Sequence, residues 1–193
     1  MPPNPAEAAQ AWAQSLETLR DAAWGRLVRG VRDKRAPARH VTLSTYGRNG
    51  WPQARIVVLR GADKAAATLE VHTDLRSAKI AELQADPRAM LHVWDDRARL
   101  QIRAEARAEI LTGPQVSDRW ARIPEGSRIA YGSRPAPGQP ILTALDYAKQ
   151  PSVQDFAVLI LHVQAFDLVH LGSDHRRARF ERAGGWTGAW LSP

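Results

Sequence analysis

The stretch LEVHTDLRSAKIAEL, residues 69–83, runs an apolar strand into a helix and places Ser77 and Lys79 near that helix's start. The first backbone N–H groups of a helix have no partner within it, and together with the positive end of its dipole they attract anions. A hydroxyl and a lysine ammonium complete such a corner. The same lysine also reads as a solvated side chain on an amphipathic helix whose apolar side is Leu75, Ala78 and Leu83. A second feature is Arg55-Ile56-Val57-Val58-Leu59-Arg60, an apolar run with an arginine at each end. Guanidinium forks suit phosphate or carboxylate, and on a strand they also snorkel to water.

Other chemistries find little support. The chain has 193 residues and no cysteine, which removes disulfides, thiolate nucleophiles and cysteine metal sites. Its six histidines show neither HxH nor HxxxH spacing, so no metal site is expected. GxSxG, GxGxxG and GxxxxGK[ST] are all absent. The formal charge of +7 is dispersed among acidic residues rather than blocked, which favours small anions over nucleic acid. No run approaches a membrane span and no apolar leader opens the chain, so a soluble cytoplasmic protein is expected. Seven tryptophans are expected in the core, at an interface or walling a planar ligand.

The elements that must position these residues follow from periodicity. Residues 5–30 carry apolar positions at helical spacing, including Ala8, Trp12, Leu16, Leu19, Ala23 and Leu27, and predict a helix or helix pair. Two strand-like runs flank Asn49-Gly50, a hairpin signal in which both turn residues take positive φ. The 69–72 strand follows, then a helix starting directly after Thr73-Asp74 and ended by Asp86-Pro87. AMLHVW, DDRA and RLQIRAEARAEIL read as strand, turn and long strand. From Leu100 to Ile110 apolar and polar residues alternate strictly, which implies one buried face and an antiparallel sheet. GPQVSDRWARI predicts a short helix and YGSRPAPGQP a loop. DFAVLILHVQAFDLVHLG predicts one or two strands, and RARFE and GWTGAWL close the sheet. The total is six to eight mostly antiparallel strands with three or four helices, a mainly β (α+β) fold built on a barrel with helices at its ends. From the residues themselves, the reading ends at a barrel with an anion site.

The order of these pieces resembles the pyridoxamine 5′-phosphate oxidase family, the FMN-binding split barrels. The matching pieces are Arg55 to Arg60, His72-Thr73, Ser77-Ala78-Lys79, Asp86-Pro87, Trp94, Gln101, HRRARF at 175–180, Trp186 or Trp190, and Leu191-Ser192-Pro193. They span residues 38–193, leaving 1–37 as an N-terminal helical segment of a single-domain protein. The resemblance implies an antiparallel split β-barrel that binds FMN. It implies that Arg55 and Lys79 hold the cofactor phosphate with Ser77 nearby, and that His72, Thr73 and the backbone of Ile56, Val57 and Val58 lie along the flavin. Gln101 is implied at the ring edge or ribityl chain, and Arg179 at the cofactor from the C-terminal segment. Arg60, His175 and Arg177 are implied on the substrate side. The family's site lies between two subunits, so a homodimer is implied, with a small-molecule substrate and neither nucleic acid nor membrane as partner. Ala78 stands where the family has arginine, Val169 where it has tryptophan and Ile123 where it has a substrate-binding arginine, while Ser127 matches a substrate serine. The expected function is an FMN-dependent oxidoreductase acting on an unidentified small molecule. Alternatives are a flavin-binding or stress-related protein without turnover, a true pyridoxamine 5′-phosphate oxidase, and a split barrel holding a deazaflavin or heme.

Overall fold

A computed structural model describes residues 11–193. After a 3-10 turn at Ala11–Ala13 comes helix α1, Leu16–Arg32. Ser15 caps it, its side chain accepting from the Thr18 N–H while the Thr18 hydroxyl oxygen accepts from the Ser15 N–H. Of the helix or helix pair expected over residues 5–30, the described residues form a single helix that begins at Leu16. The part of that expectation falling on residues 5–10 lies outside the described residues. Leu19, Ala23, Trp24 and Leu27 are buried in the same core as the barrel, with Trp24 edge-on to Phe166 at 5.2 Å. Gly30 permits this seating, because a Cβ there would lie 2.4 Å from the Ala38 carbonyl oxygen.

The barrel strands are β1 (His40–Tyr46), β2 (Pro52–Asp63), β3 (Thr68–Asp74), β4 (Arg88–Asp95) and β5 (Leu100–Leu111), with α2 (Ala78–Ala85) between β3 and β4. Two short helices, α3 (Ser117–Arg122) and α4 (Glu125–Arg128), precede a small ladder of β6 (Ser133–Arg134) and β7 (Ala148–Lys149). Then come β8 (Phe156–Leu171), β9 (His175–Glu181) and β10 (Gly188–Leu191). The main sheet runs β10-β9-β8-β3-β2-β1-β4-β5, with every neighbouring pair antiparallel. It closes because β8 also pairs with β5, giving a six-stranded antiparallel barrel of β3, β2, β1, β4, β5 and β8. Strand β8 does this by length: Phe156–His162 pairs with β3, Ala165–Leu171 with β9, and Val158–His170 with β5.

The alternation expected in β5 is present: Leu100, Ile102, Ala104 and Ala106 face the core, and Gln101, Arg103, Glu105 and Arg107 face outward. Three local expectations are corrected. The β1–β2 turn is a longer loop, closed by the Gly47 N–H donating to the Trp51 carbonyl. Only Gly50 takes positive φ there, so Asn49 is not part of a two-residue type I′ turn. Helix α2 begins at Ala78, four residues after Asp74, because Asp74 accepts the Arg76 N–H and makes a turn of Leu75 and Arg76. The Gly/Pro-rich segment is not wholly loop, since Ser133 and Arg134 pair with Lys149 and Ala148. Among the described residues no helix is long and apolar enough to cross a membrane.

Candidate functional site

Helix α2 enters where β3 ends, and its Ile80 and Leu83 join the barrel core. That packing turns the other positions of its first turn toward the end of β3. Lys79 Nζ donates to Thr73 Oγ1 at 3.0 Å, and Thr73 Oγ1 lies 3.1 Å from Ser77 Oγ. Thr73 and Ser77 are both buried. Ser77 is the N-cap of α2 by backbone, yet its hydroxyl does not bond a helix N–H and is turned to Thr73 instead. Lys79 is therefore not the solvated lysine that the amphipathic pattern also allowed. Burial lowers its pKa below the usual lysine range, Arg55 adds to the fall, and Glu82 and Asp74 pull the other way.

Arg55 completes the corner from β2. It shares the core-side face with Val57 and Leu59, and its guanidinium donates to Glu82 Oε2 at 2.8 Å and to Thr45 Oγ1. The Thr45 hydroxyl in turn donates to the same Glu82 oxygen. Thr45 and Glu82 were not singled out in the sequence. Glu82 stands three residues after Lys79, on the same helix face, and that spacing was the available signal. The corner thus holds two cations, one close carboxylate and three hydroxyls beside a helix N-terminus. Its lysine is bonded to hydroxyl oxygen and held below its normal pKa. An added phosphate would favour the charged form, so this donor set fits the phosphate of FMN.

On the outer face of β2 and β3 the surroundings differ. Ile56 is 64% exposed, and Val58 follows on the same face. His72 Nε2 lies 2.8 Å from Glu70 Oε1, while Arg119 Nε donates to Glu70 Oε2 at 2.9 Å. Burial works to raise the Glu70 pKa, but the bonds from His72 and Arg119 outweigh it and hold the carboxyl low. His72 also meets Phe156 edge-on at 5.1 Å. Arg60 lies against Tyr131, whose pKa is raised by burial and eased down by that guanidinium.

The remaining candidates lie elsewhere. Gln101 is on the outer face of β5, opposite Trp94, with Oε1 3.4 Å from His92 Nε2. Arg179 on β9 donates through Nη1 and Nη2 to Glu105 at 2.8 and 3.0 Å and through Nε to Glu181, which raises its pKa further. Arg177 is held on Asp167 by Nε and Nη2 at 3.1 and 2.8 Å. His175 opens β9, opposite Leu171 and exposed. One chain therefore gathers Arg55, Thr73, Ser77 and Lys79 at one corner, and Arg60 and His72 on the adjoining outer face. It does not bring Gln101, Arg179, His175 or Arg177 to them. A cavity of about 700 Å³ lies on the outside of β1, β4 and β5, lined by Thr45, Tyr46, Met90 and Arg107 among others. Its contact with Thr45 brings it up to the Arg55 corner. Among the described residues no group of His, Asp and Glu is placed to hold a metal.

Comparison with known proteins agrees with this geometry. The pyridoxamine 5′-phosphate oxidase FMN-binding domain matches residues 10–112, more than half of the chain and inclusive of Arg55, Lys79 and Gln101. Pyridoxine/pyridoxamine 5′-phosphate oxidase 2 of Arabidopsis thaliana is 28% identical over 195 residues, covering 89% of this chain and 98% of that protein. The pyridoxine/pyridoxamine 5′-phosphate oxidase of Cupriavidus pinatubonensis is 36% identical over 107 residues, 53% of this chain, and the match spans only 49% of that relative. Among solved structures, a pyridoxamine 5′-phosphate oxidase-related, FMN binding protein of Nostoc punctiforme superposes with a TM-score of 0.72 at 25% identity, covering 90% of this chain and 96% of that one. With the closed split barrel and the phosphate-suited corner in place, the chain belongs to the pyridoxamine 5′-phosphate oxidase family, and its cofactor is FMN.

Proposed function

We propose that the protein is an FMN-dependent oxidoreductase acting on a small molecule other than a macromolecule or membrane, and working as a homodimer. The observation that carries the reading is the Arg55–Lys79 corner, where a buried ammonium rests on the Thr73 hydroxyl rather than on a carboxylate. When bound, FMN supplies hydride acceptance, which no side chain offers. The chain's own residues have simpler roles. Lys79, Ser77 and Arg55 anchor the phosphate, Thr73 orients Lys79, and the exposed apolar surface of Ile56 and Val58 offers a bed for a flat ring. Arg60 is assigned to the rim where the flavin ring meets the substrate side. His175 and Arg177 are assigned there from a second copy, since within one chain they are remote from Arg60. The dimer supplies Gln101 and Arg179 to the partner's corner in the same way.

A second reading, flavin binding without turnover, is favoured by one observation: Arg177 already has its guanidinium on Asp167, and Arg179 on Glu105. The test begins with a visible spectrum of the purified protein, recorded before and after adding FMN and removing the excess. Retention of flavin at one per chain, lost in Arg55→Ala with Lys79→Ala, supports the site. A wild-type protein that takes up no flavin overturns it. A donor screen then separates the two readings, because an oxidoreductase reduces its bound flavin with some donor faster than that donor reduces free FMN.

A further inference from the structure

Two buried polar atoms on the outer face of β2 and β3 have no hydrogen-bond partner: Arg60 Nε and His72 Nδ1. Buried groups of this kind are almost always satisfied, so an orphan pair marks a place where something else completes the set. Their chemistry is fixed by their neighbours. Glu70 is held ionised by Arg119 and can only accept, so His72 Nε2 carries the proton facing it. With Nε2–H given to Glu70, the other ring nitrogen, Nδ1, is the acceptor of the neutral imidazole, and it sits on a side chain only 9% exposed. Arg60 Nε is a donor.

The register puts the two side by side. Leu59 pairs with Val71 and Gly61 with Glu70, so Arg60 is the extra residue of a β-bulge. Leu59 and Val71 face the core, which leaves Arg60 on the outer face with Glu70 and His72. Ile56 and Val58 lead up to them along that face as an apolar floor.

We infer that Arg60 and His72 together read a lactam or imide edge, a ring N–H next to a carbonyl, on a planar ligand lying over Ile56 and Val58. Arg60 Nε donates to the carbonyl and His72 Nδ1 accepts from the ring N–H. Glu70 and Arg119 act as positioning residues that hold the imidazole in this tautomer. The pyrimidine ring of FMN carries such an edge at N3, so the inference rests on the FMN reading and adds a specific recognition device to it.

The experiment compares FMN with N3-methyl-FMN, which lacks that N–H, by fluorescence titration of the full chain, with thermal melts of each variant alongside. Wild type is expected to bind FMN about tenfold more tightly than the N3-methyl compound. His72→Gln keeps an N–H at the Nε2 position for Glu70 but loses the Nδ1 acceptor, and it should bind the two flavins equally. His72→Asn keeps an acceptor near Nδ1 and should retain a preference for FMN. Wild type binding both flavins alike, or His72→Gln keeping the wild-type preference, overturns the inference. The wild-type comparison needs no variant and stands even if His72→Gln fails to fold. Loss of FMN binding in Lys79→Ala with no discrimination by wild type would leave the phosphate site standing and remove only this device. Tight FMN binding that survives Arg55→Ala with Lys79→Ala would remove the phosphate reading instead.

Discussion

Burial holds Lys79 at a cost that a bound anion would relieve, and that cost is measurable. Its folded-state pKa lies below the ordinary 10.5, chiefly through burial. Between that lowered value and 10.5 the unfolded chain binds the lysine proton and the folded chain does not. Unfolding therefore takes up a proton in this window, and stability without ligand rises with pH across it. Below that lowered value the penalty is fully present. Lys79→Met should accordingly make the ligand-free protein more stable at pH 7, by about 1 kcal/mol, and flatten the pH dependence on the alkaline side. In saturating FMN the order should reverse, since only wild type gains from the ligand. Melting curves at several pH values, with and without FMN, decide it, and a Lys79→Met protein less stable than wild type in the absence of FMN would show that the lysine is already well satisfied.

Glu82 sets the opposite balance at the same corner. It is the carboxylate that keeps Arg55 in place, 2.8 Å away and with Thr45 bonded to the same oxygen. Glu82→Gln keeps an acceptor but removes the charge that competes with a phosphate for Arg55. The expected result is a loss of about 1–3 kcal/mol in stability, because Arg55 is left partly uncompensated, together with tighter FMN binding. Denaturant unfolding and FMN titration on the same variant test both halves. Unchanged or weaker affinity would mean that Glu82 positions Arg55 for the phosphate rather than competing with it.

At the scale of elements, legibility followed the strength of the local signal. Strand β5 was readable because its alternation is uninterrupted from Leu100, and α2's end was readable because Asp86-Pro87 stops a helix. The start of α2 was misplaced because an aspartate side chain outcompeted the helix: Asp74 accepts the Arg76 N–H and delays the first turn. Arg55 and Arg60 looked like one bracket in sequence, yet the pleat puts them on opposite faces of β2. Positions five apart in a strand always face opposite ways, so this separation was available once the run was read as a single strand. The seating of α1 depends on its contact with the 3-10 turn Pro37–Arg39 that follows it, the approach of Gly30 to Ala38. Gly30→Ala should push helix and barrel apart and cost about 1–3 kcal/mol, although alanine is the better helix former. A stabilised Gly30→Ala, read from its thermal midpoint, would show that α1 rides loosely on the barrel.

At the scale of the whole molecule, the two sets of residues proposed to contact the cofactor fall on separate parts of one chain. Arg55 and Lys79 sit where β2, β3 and α2 meet on the core-side face. Gln101 lies three strands away around the barrel on the outer face, and Arg179 lies beyond β8 on β9. A closed barrel cannot bend these sets together, so the FMN reading requires a second copy to bring Gln101 and Arg179 to the corner. Exposed Tyr46, Trp51, Ile56 and Trp94 on β1, β2, β4 and the connecting loop supply the apolar surface that such an interface needs. The requirement makes a complementation experiment decisive. One variant carries Arg55→Ala and Lys79→Ala, the other Gln101→Ala and Arg179→Ala, and each alone should retain little flavin. After the two are mixed and allowed to exchange subunits, about half of the dimers pair unlike chains and hold one intact site each, so flavin should return on about one quarter of chains. A mixed sample that exchanges subunits yet recovers no flavin would mean that each site is built from a single chain. Gln101 and Arg179 would then belong to the ion-pair lattice of the outer face alone.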